Sequence, residues 1–435
     1  MQAGLSTKNA PSPWVVLPHY AFGALAFLAS CIILYFIGED LTRHYLSPKL
    51  FTLTHLLVLG WITMIIFGAL YQLIPVVMEV RLFSEKLAII TFILFGAGLI
   101  TLSVSFWTFT FSRSLGLEVG GYIIVVAILL FTINILSTAA KTKRKTIENT
   151  FIIISIFWLL LTVILGITVV LNFAFQFISV SHLQLLKMHA HIGFIGWFLL
   201  LVVGVASKLM PMFLIVHGLP RKLLNYAFYL INAGLLMLSI GFYLFPEIWY
   251  YTLSSLLIIA GIIAFLRFNY IAFSKRIRKK LDVGLKMSAT AFIMLAISIL
   301  LGIIAVIGPD FTASFQTRIE ISYGVLIVLG FLSSLVLGQT YKTLPFIIWL
   351  KKYHSKVGKS KVPLPMELYS DKIAHYHFYT FVAGIIVLIT GILVNVVIVI
   401  KIGAVLLIIT AILYNYNVFK IIFHKEKKTI IEPKS

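Results

Sequence analysis

Twelve apolar stretches of about 20 residues follow one another from end to end of this 435-residue chain. They lie at about 15–37, 51–77, 87–110, 119–137, 150–173, 186–212, 223–245, 249–268, 286–308, 319–346, 374–395 and 398–417. A segment immersed in hydrocarbon must satisfy its own backbone hydrogen bonds, so runs of this length fold as spanning α-helices. The fold class is therefore all-α: a polytopic membrane protein of about twelve transmembrane helices, here numbered in chain order. Composition excludes a soluble domain, because only 11% of residues are charged and the mean hydropathy is +1.06, against roughly 25% charge in ordinary soluble proteins. One cysteine, Cys31, excludes disulfides, Cys-ligated clusters and covalent c-type heme. The segment before Trp14 carries only Lys8 and shows no cleavage pattern, so the first helix is expected to be retained.

The formal charge is +21, and its placement explains it. Lys and Arg gather at Lys141, Lys143, Arg144 and Lys145, at Arg221 and Lys222, and at Lys275, Arg276, Arg278, Lys279 and Lys280. They gather again at Lys351, Lys352, Lys356, Lys359 and Lys361, and at Lys425, Lys427 and Lys428. Each cluster follows an even-numbered helix. The positive-inside bias then puts both termini in the cytoplasm of a multi-pass protein of the inner (plasma) membrane. Topology and anionic headgroups account for the charge without nucleic acid.

The chain repeats itself. His55, Gly60, Trp61, Gly68, Gln72 and Pro75 of helix 2 recur at one constant offset as His191, Gly196, Trp197, Gly204, Lys208 and Pro211 of helix 6. A third copy follows at nearly the same interval, with Gly330, Phe331, Gly338, Lys342 and Pro345 in helix 10 and Val325 at the histidine position. This predicts one membrane domain over 1–435 with repeats near 15–140, 150–270 and 286–420, arranged as a pseudo-threefold bundle of three four-helix groups. Lys208 and Lys342, at matching cytoplasmic helix ends, read as cations snorkelling to headgroups.

Eleven histidines are present. Those at 44, 217, 354 and 424 fall in loops or tails and read as solvated. His55, His189 and His191 fall in apolar surroundings near the starts of helices 2 and 6, where a neutral imidazole needs a partner and is a common metal ligand. Two residues along a helix turn through about 200°, so His189 and His191 project to opposite sides and suit two separate planar cofactors. His55 matches His191 in the repeat, so the two could bind one heme iron from both faces, leaving His189 for a second heme or another metal. Weaker metal-ligand candidates are His182, seven residues before His189, and a second cytoplasmic site of His375 and His377 with His19. The competing reading of His375 and His377 is an interfacial position among Tyr376 and Tyr379.

The run His55-Leu-Leu-Val-Leu-Gly60-Trp61, continuing through Met64, Phe67-Gly68-Ala69, Tyr71 and Leu73-Ile74-Pro75, resembles the heme-ligating tenth helix of cbb-type cytochrome oxidases and nitric oxide reductases. So does His189-Ala190-His191-Ile192-Gly193-Phe194-Ile195-Gly196-Trp197, with the full His-x-His. The resemblance implies the heme-copper oxidase fold and b-type heme, one or two per chain. It implies His189 as axial ligand of a high-spin heme, His191 as ligand of a low-spin heme, and His55 as the opposite low-spin ligand. It further implies oxidoreductase chemistry, a cytochrome or quinol electron donor and a diatomic gas ligand, nitric oxide or oxygen.

The departures narrow this. The family's copper or non-heme iron site needs three further histidines including an adjacent pair, and the chain has no such pair. All 14 Asp and Glu fall in loops or at helix ends, which argues against a proton-pumping carboxylate relay. The chain thus reads as a divergent relative of the catalytic subunit, similar in kind to heme-containing nitric-oxide-response membrane proteins, for electron transfer or for binding or reducing a gas. The alternatives from other classes are a transporter or channel built on internal repeats, and an accessory or assembly subunit that lost its cofactors.

Overall fold

The structure, a computed structural model, describes residues 9–143, 145–244, 247–307 and 312–426. Lys8, Arg144, Lys427 and Lys428 of the charge pattern lie outside them. Twelve helices are long and apolar enough to cross a membrane, and no strand occurs among the described residues. They are α1 (Pro13–Phe36), α2 (Pro48–Val77), α3 (Glu85–Trp107), α4 (Leu115–Ala139), α5 (Ile147–Phe175) and α6 (His182–Leu214). The second half comprises α7 (Lys222–Leu244), α8 (Ile248–Ser274), α9 (Val283–Val306), α10 (Ala313–Lys356), α11 (Asp371–Val394) and α12 (Val397–Ile422). Each apolar stretch of the sequence is one helix. The largest boundary difference is in α10, which continues through Lys351 and Lys352 because long cationic side chains are good helix formers and suit a helix C-terminus.

Caps set several helix starts. Ser84, Ser114, Thr146, Ser181 and Ser370 each accept a hydrogen bond from a backbone N–H in the first turn of α3, α4, α5, α6 and α11. Outward faces are apolar. On α3, Ile93, Ile100 and Val104 are more than half exposed while Phe95 and Leu99 are fully buried, the pattern of a helix with one side toward lipid.

The described helices group into two compact units, one within residues 71–280 and the other within 12–70 and 281–426. In the first unit, Trp158 of α5 donates Nε1–H to Asn232 Oδ1 of α7 at 3.0 Å, and Arg221 pairs with the buried Glu148 at the foot of α5. In the second, Trp61 of α2 donates to Ser333 of α10 at 3.1 Å, Tyr20 meets Thr343 at 2.8 Å, and Asn415 of α12 donates to the Ala24 carbonyl at 2.8 Å. Lys342 does not snorkel. It pairs with Asp282 at the start of α9, and both side chains are mostly buried, since a carboxylate one helix away is a nearer partner than a headgroup.

The repeat is visible in the backbone. α2, α6 and α10 each widen into a π-helical segment, at Leu56–Thr63, Ile192–Leu199 and Leu326–Leu332. These begin immediately after His55, His191 and Val325, the three equivalent positions. Such wide turns interrupt the regular ladder and favour functional sites. Further along the same helices, Gly68, Gly204 and Gly338 each receive a side chain from the preceding helix: His19, Phe151 and Met287 come within 2.7, 2.7 and 2.6 Å of where a Cβ would stand. Only glycine permits these approaches.

Candidate functional site

The two helices with histidines at their π-helical entries hold them in related ways. His55 of α2 donates Nδ1–H to the Phe51 carbonyl at 2.8 Å, and His191 of α6 donates Nδ1–H to the Lys187 carbonyl at 2.7 Å. A carbonyl only accepts, so both rings carry their proton on Nδ1 and present Nε2 as the basic nitrogen. That is the tautomer in which a histidine ligates a metal while its other nitrogen is oriented by an outer partner. Both side chains are half-buried. His191 also lies 5.4 Å, centroid to centroid, from the Phe242 ring of α7. The bond four residues back is local geometry and does not alone mark a ligand, because His375 makes it too, to the Asp371 carbonyl at 2.9 Å.

His189 is held differently. Its Nδ1–H reaches across to the Thr162 carbonyl of α5 at 3.0 Å. Its ring lies against Gly166, with Cε1 3.0 Å and Nδ1 3.4 Å from the Cβ position of that glycine. Gly166 thus leaves the space that the imidazole occupies. Further along the same contact, Thr162 and Trp158 stand 3.2 and 2.7 Å from where a Cβ would stand on Gly193 and Gly196. This α5–α6 ridge fixes the ring plane of His189. His189 and His191 therefore leave α6 toward different neighbours, α5 and α7, as their two-residue spacing requires.

The donor chemistry of His55, His189 and His191 suits a group that takes one or two imidazoles from the protein. Among the described residues no group of three or more His, Cys, Asp or Glu side chains is arranged to hold a metal ion. A heme iron needs only one or two imidazoles from the protein, each with Nε2 basic and its ring orientation fixed, which is how these three histidines stand.

The other candidates have structural company. His182 opens α6, stacks on Phe173 at 4.2 Å and lies 3.3 Å from Asn172 Nδ2, while Asn172 also accepts from the Ile178 N–H at 2.8 Å. It belongs to the lock on the α5–α6 turn. His19 is fully buried and is the side chain seated on Gly68, the place filled by Phe151 and Met287 in the other repeats. His375 lies near the surface with the Asp371 carboxylate 3.5 Å away, whereas His377 is fully buried between the rings of Tyr341 and Tyr414, at 5.7 and 5.8 Å. The structure does not bring His375 and His377 together. Sequence reasoning missed Thr162 and Gly166, for which the available signal was a glycine in the middle of an otherwise bulky apolar helix.

No family model and no curated protein matches this sequence. The fold does have solved counterparts. The chain is similar to a heme-copper terminal oxidase determined by cryo-electron microscopy as a dimer, with a TM-score of 0.64 at 11% identity, covering 95% of this chain and 84% of that one. The protein is thus a multi-pass, all-helical membrane protein with the fold of a heme-copper terminal oxidase.

Proposed function

We propose that this chain is a b-type heme-binding protein of the plasma membrane, with His55, His189 and His191 as axial ligands. The observation that carries the reading is the His189-Ala190-His191 pair at the π-helical entry of α6. Both rings donate Nδ1–H to a backbone carbonyl and turn toward different neighbouring helices. The oxidase fold supports it, and His55 repeats the His191 arrangement on α2.

Heme would supply reversible one-electron chemistry and, at an iron with a single protein ligand, a position for a diatomic gas. In this reading His55 and His191 would each be a ligand for low-spin heme iron, and His189 would hold an iron open to nitric oxide or oxygen. The electron donor is a cytochrome or quinol. Copper or a non-heme iron beside His189 is not part of the proposal, since the sequence has no adjacent histidine pair to hold it. Proton pumping is likewise left out, because no carboxylate lies in the middle of a span. What the residues of this chain contribute is position: backbone carbonyls fix the proton on Nδ1, and the Gly166 and Gly193 gaps let α5 and α6 approach and hold the ring.

The test is heme content and spectra of three variants. His55→Ala and His191→Ala should each abolish the low-spin signal, and His189→Ala should keep that signal while losing carbon monoxide or nitric oxide binding. Unchanged spectra in the first two would remove both histidines as low-spin ligands.

A further inference from the structure

The α5–α6 contact that seats His189 recurs, residue for residue, between α9 and α10. Phe151 on Gly204 becomes Met287 on Gly338, 2.7 and 2.6 Å from where a Cβ would stand on each glycine, the measure used for the pairs that follow. Trp158 on Gly196 becomes Met294 on Gly330, at 2.7 and 3.3 Å. The third member is the informative one. The His189 ring comes within 3.0 Å of the Cβ position of Gly166, and the Tyr323 ring within 3.2 Å (Cε2) and 3.4 Å (Cδ2) of the Cβ position of Gly302. Gly302 follows Gly166 at the same offset by which Met287 follows Phe151 and Met294 follows Trp158. Tyr323 follows His189 at the same offset that relates Gly330 to Gly196 and Gly338 to Gly204. Like His189, it stands two residues before the last α-helical residue ahead of a π-helical segment.

Three contacts in one register make Tyr323 the counterpart of His189, seated by the counterpart of Gly166. The companion position keeps no ligand chemistry, since Val325 stands where His191 stands in α6. The bland explanation is an aromatic ring filling the notch that a glycine leaves. Phenylalanine would fill it as well; tyrosine adds an oxygen donor at the position where α6 carries an imidazole. The Tyr323 side chain is half-buried.

We infer that Tyr323 is an iron-ligand position of the third repeat, presenting a phenol oxygen to a ferric heme where the second repeat presents an imidazole. Tyrosine is an established axial ligand of heme iron. The inference rests on the heme reading above. Binding requires the phenol to lose its proton, so the bond that forms is iron(III)–oxygen, the bond that breaks is O–H, and the proton leaves to solvent. No electron is transferred.

The experiment is resonance Raman and absorption spectroscopy of the oxidised full-length protein, wild type against Tyr323→Phe and Tyr323→His. Phenylalanine keeps the ring on Gly302 and removes only the oxygen. The expected result is an iron–phenolate charge-transfer band with its phenolate vibrations in the wild type, lost in Tyr323→Phe while the low-spin histidine bands persist. In Tyr323→His it should be replaced by histidine-ligated iron at undiminished heme content. A heme-bearing wild type without phenolate modes, or with modes that survive Tyr323→Phe, overturns this inference alone. A wild type without heme bands overturns the heme reading and this inference with it.

Discussion

At the entry to α6 two imidazoles stand two residues apart ahead of the π-helical segment, while at the entry to α10 the same two positions hold Tyr323 and Val325. The glycines beneath them have not changed: Gly166 and Gly302, Gly196 and Gly330, Gly204 and Gly338 receive a neighbouring side chain in both places. The difference teaches that the frame and its chemistry are separable. Close helix approach depends on small residues, which tolerate little change, whereas the side chain aimed from the frame is set one position at a time.

The comparison breaks most sharply at His191. His191→Ala should remove the low-spin heme signal altogether, while Val325→Ala at the equivalent place should leave every heme band unmoved, as read by reduced-minus-oxidised difference spectra. A loss of the signal in both would mean that the position serves packing in each repeat.

The next effect is at the glycine notch. Gly166→Ala puts a methyl within 3.0 Å of the His189 ring and 3.4 Å of its Nδ1. The ring must yield, at a cost of about 1–3 kcal/mol typical of overpacking. Carbon monoxide binding should weaken while the His55 and His191 signal stays, and a melting curve should fall only modestly. Gly302→Ala should lower stability similarly and leave the carbon monoxide response alone.

A smaller effect distinguishes the ion pairs. Lys342 and Asp282 are mostly buried, so Lys342→Met, which strands the carboxylate, should cost about 3 kcal/mol, read as a lower melting temperature that salt does not mimic. Lys356 and Glu426 are exposed, and Glu426 has its carboxyl held below the usual range first by its hydrogen bond to Lys356. Breaking that pair by Lys356→Ala should leave the melting temperature within error. The smallest effect is expected at His19, where His19→Leu should keep both heme content and the fold, because Phe151 and Met287 fill the same place with apolar side chains.

Much of the fold was legible in the sequence because a membrane demands long apolar runs and the repeat kept its glycine, aromatic and proline positions in register. His55, His189 and His191 stand out as site candidates for a related reason, as polar exceptions in an apolar background. What the sequence could not convey was which carbonyl each ring meets. Thr162 is far from His189 along the chain and joins it only once α5 and α6 pack. Lys342 misled because a cation at a helix end suggests a headgroup, and its partner Asp282 stands just ahead of another helix, α9. Tyr323 escaped notice because the third repeat lacks the histidine that drew attention to the other two.

The most direct test of the account is an absorption spectrum of the purified protein, oxidised, dithionite-reduced and reduced with carbon monoxide, alongside metal analysis. The account predicts reduced b-type bands, of which one component shifts with carbon monoxide and another does not. A featureless spectrum from protein expressed with ample heme would contradict it.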